Sequence, residues 1–324
     1  LPTGQDNDGN QRTAVCCLSS LNIDTYDQWS EDPQFIEDVM RFLDNVMTDF
    51  INRAPDEFAH AKYSAMRERS VGLGVMGLHS YFQQKNIPFG SVMSKVWNKK
   101  IFKNIQEKVD LASVSLAEER GACPDAAEYG MKERFSNKTA IAPTASISII
   151  CGGSSPGIEP IAANSYTHKT LSGSFNVRNK YLKKILQKHK KDTDDVWSTI
   201  TTNQGSVAHL DFLTPEEKDT FKTAFEIDQR WIVELGADRT PHISQAQSIN
   251  IFIPADIHKK DLHDLHFQAW KKGLKSLYYC RSKSIQRAEN VNKGTSTDVT
   301  KNVYSQGQES NNKSNNYEEC LSCQ

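Results

Sequence analysis

The chain has 324 residues, 37% of them hydrophobic and 24% charged, the balance of a globular protein with a sizeable core. Lys and Arg total 39 against 40 Asp and Glu. The net charge of −1 excludes a global basic field that would draw the chain to nucleic acid or a membrane surface.

The longest apolar run, Ile147 to Cys151, is far short of the ~20 residues of a membrane span. Residues 1–13 are polar and lack the apolar stretch of a signal peptide. Seven scattered cysteines suit reduced thiols in a cytoplasm better than a disulfide scaffold. Leu1-Pro2-Thr3 reads as the interior of a longer polypeptide, or as a processed start.

The first apolar stretch, Ala14-Val15-Cys16-Cys17-Leu18, is short and β-prone and reads as a buried strand. Asp32 as N-cap and Pro33 at the first helical position then open a helix that stops before Pro55. Its apolar residues from Phe35 to Ile51 recur every three or four positions and form one stripe. A second long helix spans residues 94–120, with Gly121 closing it and Pro124 just beyond. A third starts at the capping box Thr214-Pro215-Glu216-Glu217 and runs through Trp231 to Gly236. A fourth covers residues 259–272. Residues 139–142, 249–253 and 274–279 read as strands between them. Strands alternating with long helices predict an α/β fold with parallel strands. Residues 287–319 are rich in Asn, Ser, Gln, Lys, Thr and Gly, and predict a disordered C-terminal tail after a folded unit of residues 1–286.

Several motifs could carry chemistry. Gly72-Leu73-Gly74-Val75-Met76-Gly77 matches a dinucleotide fingerprint, but it follows a charged, helical segment instead of a hydrophobic strand. Its glycines read as positions of close helix packing. Thr144, Ala145, Ser146, Ile147 and Ser148 form a hydroxyl-rich turn into a helix start, where N–H groups and hydroxyls suit an anion; a plain capped helix explains them equally well. Gly152 to Gly157 then break that helix, with a backbone free to approach something closely. Cys16 and Cys17 read as small buried hydrophobes, and adjacent strand positions put at most one of them on a given face. Tyr278 and Tyr279 read as core aromatics ending the last strand.

The terminal pair Cys320 and Cys323 has three readings: half a zinc site, a functionless tail, or a thiol–disulfide exchanger. The zinc reading needs two further ligands, for which His263 and His266 have a usable spacing. A leash of about 34 residues from Gln286 would let the dithiol roam roughly 30–35 Å, enough to travel between an external reductant and a buried site.

Taken in order, Leu1-Pro2-Thr3, Ala14 to Asn22, Arg69 to Gly77, Ala142 to Ser148, Pro156-Gly157-Ile158-Glu159-Pro160, Leu277-Tyr278-Tyr279 and Cys320 to Cys323 resemble the C-terminal part of the large (α) subunit of class I ribonucleotide reductase. The resemblance implies the second half of that family's ten-stranded α/β barrel, and reduction of ribonucleoside diphosphates to 2′-deoxyribonucleotides by radical chemistry. It makes Cys16 one of two redox cysteines that become a disulfide each turnover. Cys17 stands where the family often has Thr and receives no role. Residues Thr144 to Ser148 match the loop that binds the substrate diphosphate. Tyr278 and Tyr279 match the pair that relays a radical from the metal site of the small (β) subunit; stacking them requires a bend at the strand's end. Cys320 and Cys323 match the tail dithiol that re-reduces the active site and draws electrons from thioredoxin or glutaredoxin.

The family's Asn-x-Cys-x-Glu loop, whose Cys becomes the thiyl radical, has no match here. The implied chain therefore binds no cofactor itself, works only with the N-terminal portion of an α subunit, and is not active alone. Implied partners are that portion, the β subunit, a thioredoxin or glutaredoxin and the diphosphate substrate, with no nucleic acid and no membrane. A cobalamin-dependent (class II) reductase, which needs no tyrosine relay, and a non-catalytic dithiol or zinc-binding module are the alternatives.

Overall fold

The computed structural model describes residues 1–170 and 173–282. The chain opens with a small antiparallel pair, β1 (Gly4–Gln5) and β2 (Gln11–Arg12). The next strand, β3 (Leu18–Asn22), begins where the sequence pattern expected a strand to end. Residues 14–17 lie outside any regular element, and Cys16 is exposed, so a buried strand over Ala14 to Leu18 is corrected. The cause is pairing, because the ladder opens only where Gly72 N–H donates to Cys17 O.

After a short turn, α1 (Tyr26–Trp29), comes α2 (Phe35–Arg53). It starts two residues later than Pro33, because the Asp32 carboxylate accepts the Gln34 N–H at 2.9 Å and holds a turn there. Ile36, Met40, Leu43 and Met47 form its buried stripe. The helix α3 (Ala59–Glu68) ends in Arg69 at φ 43°, whose guanidinium reaches back to Asp44 of α2 at 2.6 Å. Asp44 is fully buried and also receives Arg120 and Arg134. Burial alone would raise its pKa, but the bonds from Arg134 and Arg120 and the charge of Arg69 hold it below the usual value.

The glycine motif forms β4 (Gly72–Met76), a fully buried strand, and then Gly77 at φ 81° turns into α4 (Leu78–Gln84). The motif thus serves packing, as the sequence suggested, but between strands and not between helices. A methyl at Gly72 would stand 2.4 Å from Leu18 and 2.9 Å from Ala140, and one at Gly74 2.2 Å from the Ala140 carbonyl. The long α5 (Val92–Arg120) carries a capping box between Ser91 and Ser94 and ends at Gly121, φ 87°, followed by α6 (Pro124–Glu128).

Past the extended segment 138–142 lie α7 (Ala145–Ile150), the hairpin β5 (Ser165–Thr170) and β6 (Gly173–Arg178), α8 (Lys180–Lys188) and α9 (Asp194–Thr202). The expected helix from Thr214 to Gly236 is two helices, α10 (Pro215–Thr220) and α11 (Gln229–Arg239). The capping box stands as read, but the chain breaks because Phe221 and Ala224 belong to different apolar clusters. Ala224 N–H donates to Ile161 O at 2.7 Å, and Asp228 caps the second helix. The last elements are β7 (Ile251–Ile253), α12 (Lys259–Lys271) and β8 (Cys280–Ser282).

Strands β3, β4, β7 and β8 share one parallel order. The pair β3·β4 runs in register from Leu18↔Gly72 to Asn22↔Met76. Leu73 of β4 bridges Thr139, Ile141 bridges Gln247, and β7 pairs with β8 from Ile251↔Cys280. Five extended segments therefore lie side by side in chain order, with helices in the crossovers. This is the α/β arrangement expected from the alternation of strands and helices. The main core gathers around it, while a second cluster centred on Leu182, Trp197, Ile200 and Phe221 holds together α8, α9 and the segments flanking α10. No helix among the described residues is long and apolar enough to cross a membrane.

Candidate active site

Segment 138–142 delivers the hydroxyl-rich turn to the carboxyl end of the parallel row, where α/β folds place ligands. Thr144 adopts the left-handed conformation, φ 55°, and α7 starts on the next residue. Thr144 is buried, and its hydroxyl accepts the Gly157 N–H at 2.7 Å. Ser148 is buried as well and donates to Ala145 O. Ser146 and Ile147 are exposed on the first turn, with Ala145 half-buried. Half of the turn is therefore spent holding the 152–157 loop against α7, and half faces outward.

Tyr278 and Tyr279 are neither core residues nor part of a regular strand, which corrects both expectations. They are 40% and 54% exposed, and β8 begins after them. The ladder explains the difference. Tyr278 N–H donates to Ile249 O at 2.8 Å, and Ile251 N–H donates to Tyr279 O at 2.9 Å. Two residues thus stand opposite the single Asn250, which is a bulge. Regular alternation would throw the rings to opposite faces. The bulge instead brings their centroids to 4.0 Å at an interplanar angle of 47°. The bend that a stacked pair required is present, just ahead of the strand. Arg281 lies 5.7 Å from the Tyr279 ring centroid.

Sequence reasoning missed the residues behind this pair. Asn250 Oδ1 accepts the Tyr279 N–H at 3.0 Å, and Asn250 Nδ2 donates to Glu159. Glu159 lies in the same Pro156 to Pro160 loop that touches Thr144, so hydrogen bonds connect the hydroxyl turn to the tyrosines. A polar Asn inside the apolar run 249–253 was the available signal.

Cys16 stands just before the first strand of the row, at the edge opposite β8. It is exposed, and three extended segments stand between its strand and β8 in the row. Cys17 is half-buried, with burial pushing its thiol pKa up, and its Sγ lies 3.9 Å from Leu43 O. Cys123 is buried and raised for the same reason, whereas Cys151 and Cys280 are exposed. His266 Nδ1 meets Leu262 O on its own helix, and His263 stacks on Phe267. Cys320 and Cys323, with the whole expected tail, lie outside the described residues.

A family model described as "Ribonucleotide reductase, barrel domain" matches residues 5–132 and 125–280. This chain belongs to that family. The reductase family also holds its similar relatives. The ribonucleoside-diphosphate reductase large subunit of Invertebrate iridescent virus 6 is 49% identical over 86% of the chain and 29% of its own length. That of Invertebrate iridescent virus 3 is 45% identical over 92% of the chain and 46% of its own length. Among solved structures, the class Id ribonucleotide reductase alpha subunit of Actinobacillus ureae superposes with a TM-score of 0.79. It is 40% identical, with 84% of this chain and 50% of that chain covered. The chain thus spans half or less of these reductase large subunits, and its parallel row is a part of the family's barrel.

Proposed function

We propose that this chain is the C-terminal part of a ribonucleoside-diphosphate reductase large subunit, contributing the substrate turn, one redox cysteine and the tyrosine pair. The observation that carries the reading is the bulge that holds two exposed phenol rings 4.0 Å apart. Phenols at that spacing pass an electron hole in a short step if each proton has somewhere to go. The small subunit supplies the radical from its metal site. The turn Thr144 to Ser148 holds the diphosphate at a helix start.

Reduction needs two electrons and two protons. Cys16 and a second thiol, carried by the N-terminal portion of the subunit with the thiyl-radical cysteine, become a disulfide while the 2′-hydroxyl leaves as water. Cys320 and Cys323 then exchange with that disulfide and are re-reduced by thioredoxin or glutaredoxin. The chain performs this chemistry only in company with that portion.

The test uses the assembled enzyme with its small subunit. Tyr278→Phe and Tyr279→Phe each remove the oxidisable O–H and keep the ring, so deoxynucleotide formation falls to background while diphosphate binding stays unchanged. Full turnover in Tyr278→Phe sinks the relay and favours a reductase that makes its radical from cobalamin.

A further inference from the structure

Glu159 is 7% exposed and Asn250 is 1% exposed, an expensive place for a carboxyl and an amide unless they hold something. Pro156 O accepts the Glu159 N–H at 3.0 Å, which fixes the loop beneath the side chain. The carboxylate accepts from Asn250 Nδ2. That bond decides which way round the Asn250 amide sits, because a carboxylate oxygen faces an NH₂ and repels a carbonyl. With Nδ2 turned to Glu159, Oδ1 faces the Tyr279 N–H, where it is found at 3.0 Å.

The bulge leaves that N–H without the regular ladder acceptor, so Asn250 completes the backbone at the point where the two tyrosines are turned to the same side. We infer that Glu159, acting through the Asn250 amide, is a positioning residue that sets the backbone of Tyr279 and with it the overlap of the tyrosine pair. The inference rests on the tyrosine relay proposed above. Burial pushes the Glu159 pKa up to about 7, against the charge of Arg281 and the bond from Asn250. Either protonation form keeps an oxygen that can accept from the amide.

The experiment is a set of variants in the holoenzyme. Glu159→Leu removes the acceptor, and kcat falls about tenfold with KM for the diphosphate unchanged. Glu159→Gln keeps an amide oxygen that can accept, and retains most of the activity. Asn250→Asp sets two carboxyl groups against each other and loses activity. Adding Glu159→Gln to Asn250→Asp lets the new amide donate to the new carboxylate, which still accepts the Tyr279 N–H, and activity returns.

A second readout does not depend on turnover: 3-fluorotyrosine at position 279, followed by fluorine NMR, shifts in Glu159→Leu and returns to the native position in the double variant. Unchanged kcat in Glu159→Leu, a parallel loss of substrate binding, or a double variant no better than Asn250→Asp overturns the inference. If Tyr279→Phe is fully active but the fluorine shift behaves as stated, the relay has failed and the positioning contact stands.

Discussion

Gly74 shows how little space the parallel row leaves at a single residue. A Cβ there would sit 2.2 Å from the Ala140 carbonyl oxygen, a backbone atom of the neighbouring extended segment that cannot swing aside. Gly74→Ala must therefore separate β4 from residues 138–142 or distort both, at a cost of about 3 kcal/mol or more. We expect the assembled enzyme carrying it to lose most of its soluble yield and several degrees of thermal midpoint. Gly130→Ala is the control, because nothing lies within 4 Å of its Cβ position and the cost there is only that of φ 70°. Equal midpoints for wild type and Gly74→Ala would mean the row gives way at this position without cost. The glycine spacing was legible as close packing, because no dinucleotide-binding strand precedes it. Its place inside a strand was not, since Gly-Leu-Gly-Val-Met has neither the alternation nor the β-branched density that marks one. Glu159 was illegible for another reason: burial of a carboxyl is decided by what folds over it.

At the scale of elements, α4 is a helix enclosed by its surroundings along almost its whole length, with Leu78 through Gln83 all buried. Its His79 is completely enclosed, Nδ1 accepts the Ile161 N–H at 3.0 Å, and burial pushes its pKa down to about 3. A histidine in the unfolded chain takes its proton near pH 6.5, so the folded state binds fewer protons below that pH. The stabilisation from His79 is therefore complete above about pH 6.5 and is lost as the pH falls toward 3, with a limiting slope of about 1.4 kcal/mol per pH unit. His79→Gln keeps an acceptor for Ile161 and does not titrate. The acid side of its thermal midpoint against pH should be shallower than that of wild type between pH 6.5 and 4. Parallel profiles would show that His79 is protonated without cost. Helices with explicit ends, such as α5 with Gly121 and α10 with its capping box, were readable from sequence. The hairpin β5·β6 was not, because Ser165 to Thr170 is polar throughout and the strand exists through its partner. The α10–α11 break was hidden for a related reason, since Phe221 and Ala224 continue a helical apolar pattern while serving two cores.

Across the whole molecule, the motif order carried more information than any motif alone, because the motifs at Cys16, Thr144 and Tyr278 each mark an end of a strand in one parallel row. Cys16 precedes the first strand, the Thr144 turn follows the third extended segment, and the tyrosines precede the last. The order is visible in sequence, whereas the distances that close a site depend on what stands at the two outer edges. Among the described residues, no strand pairs with the far side of β3 or of β8. Parallel strands are ordinarily covered on both faces and paired along their edges, and an open edge exposes a line of N–H and C=O groups. If the remaining strands of the barrel come from the preceding portion of a large subunit, the two edges report its docking directly. In hydrogen exchange, the backbone amides of β3 and β8 that face away from β4 and β7 should exchange fast in the chain alone, while those of β4 stay protected between two neighbours. Co-expression with the portion of a reductase large subunit that precedes the matched region should slow β3 and β8 together, since a barrel closes at both edges or at neither. Strong protection of both in the isolated chain would mean that the row closes without that portion.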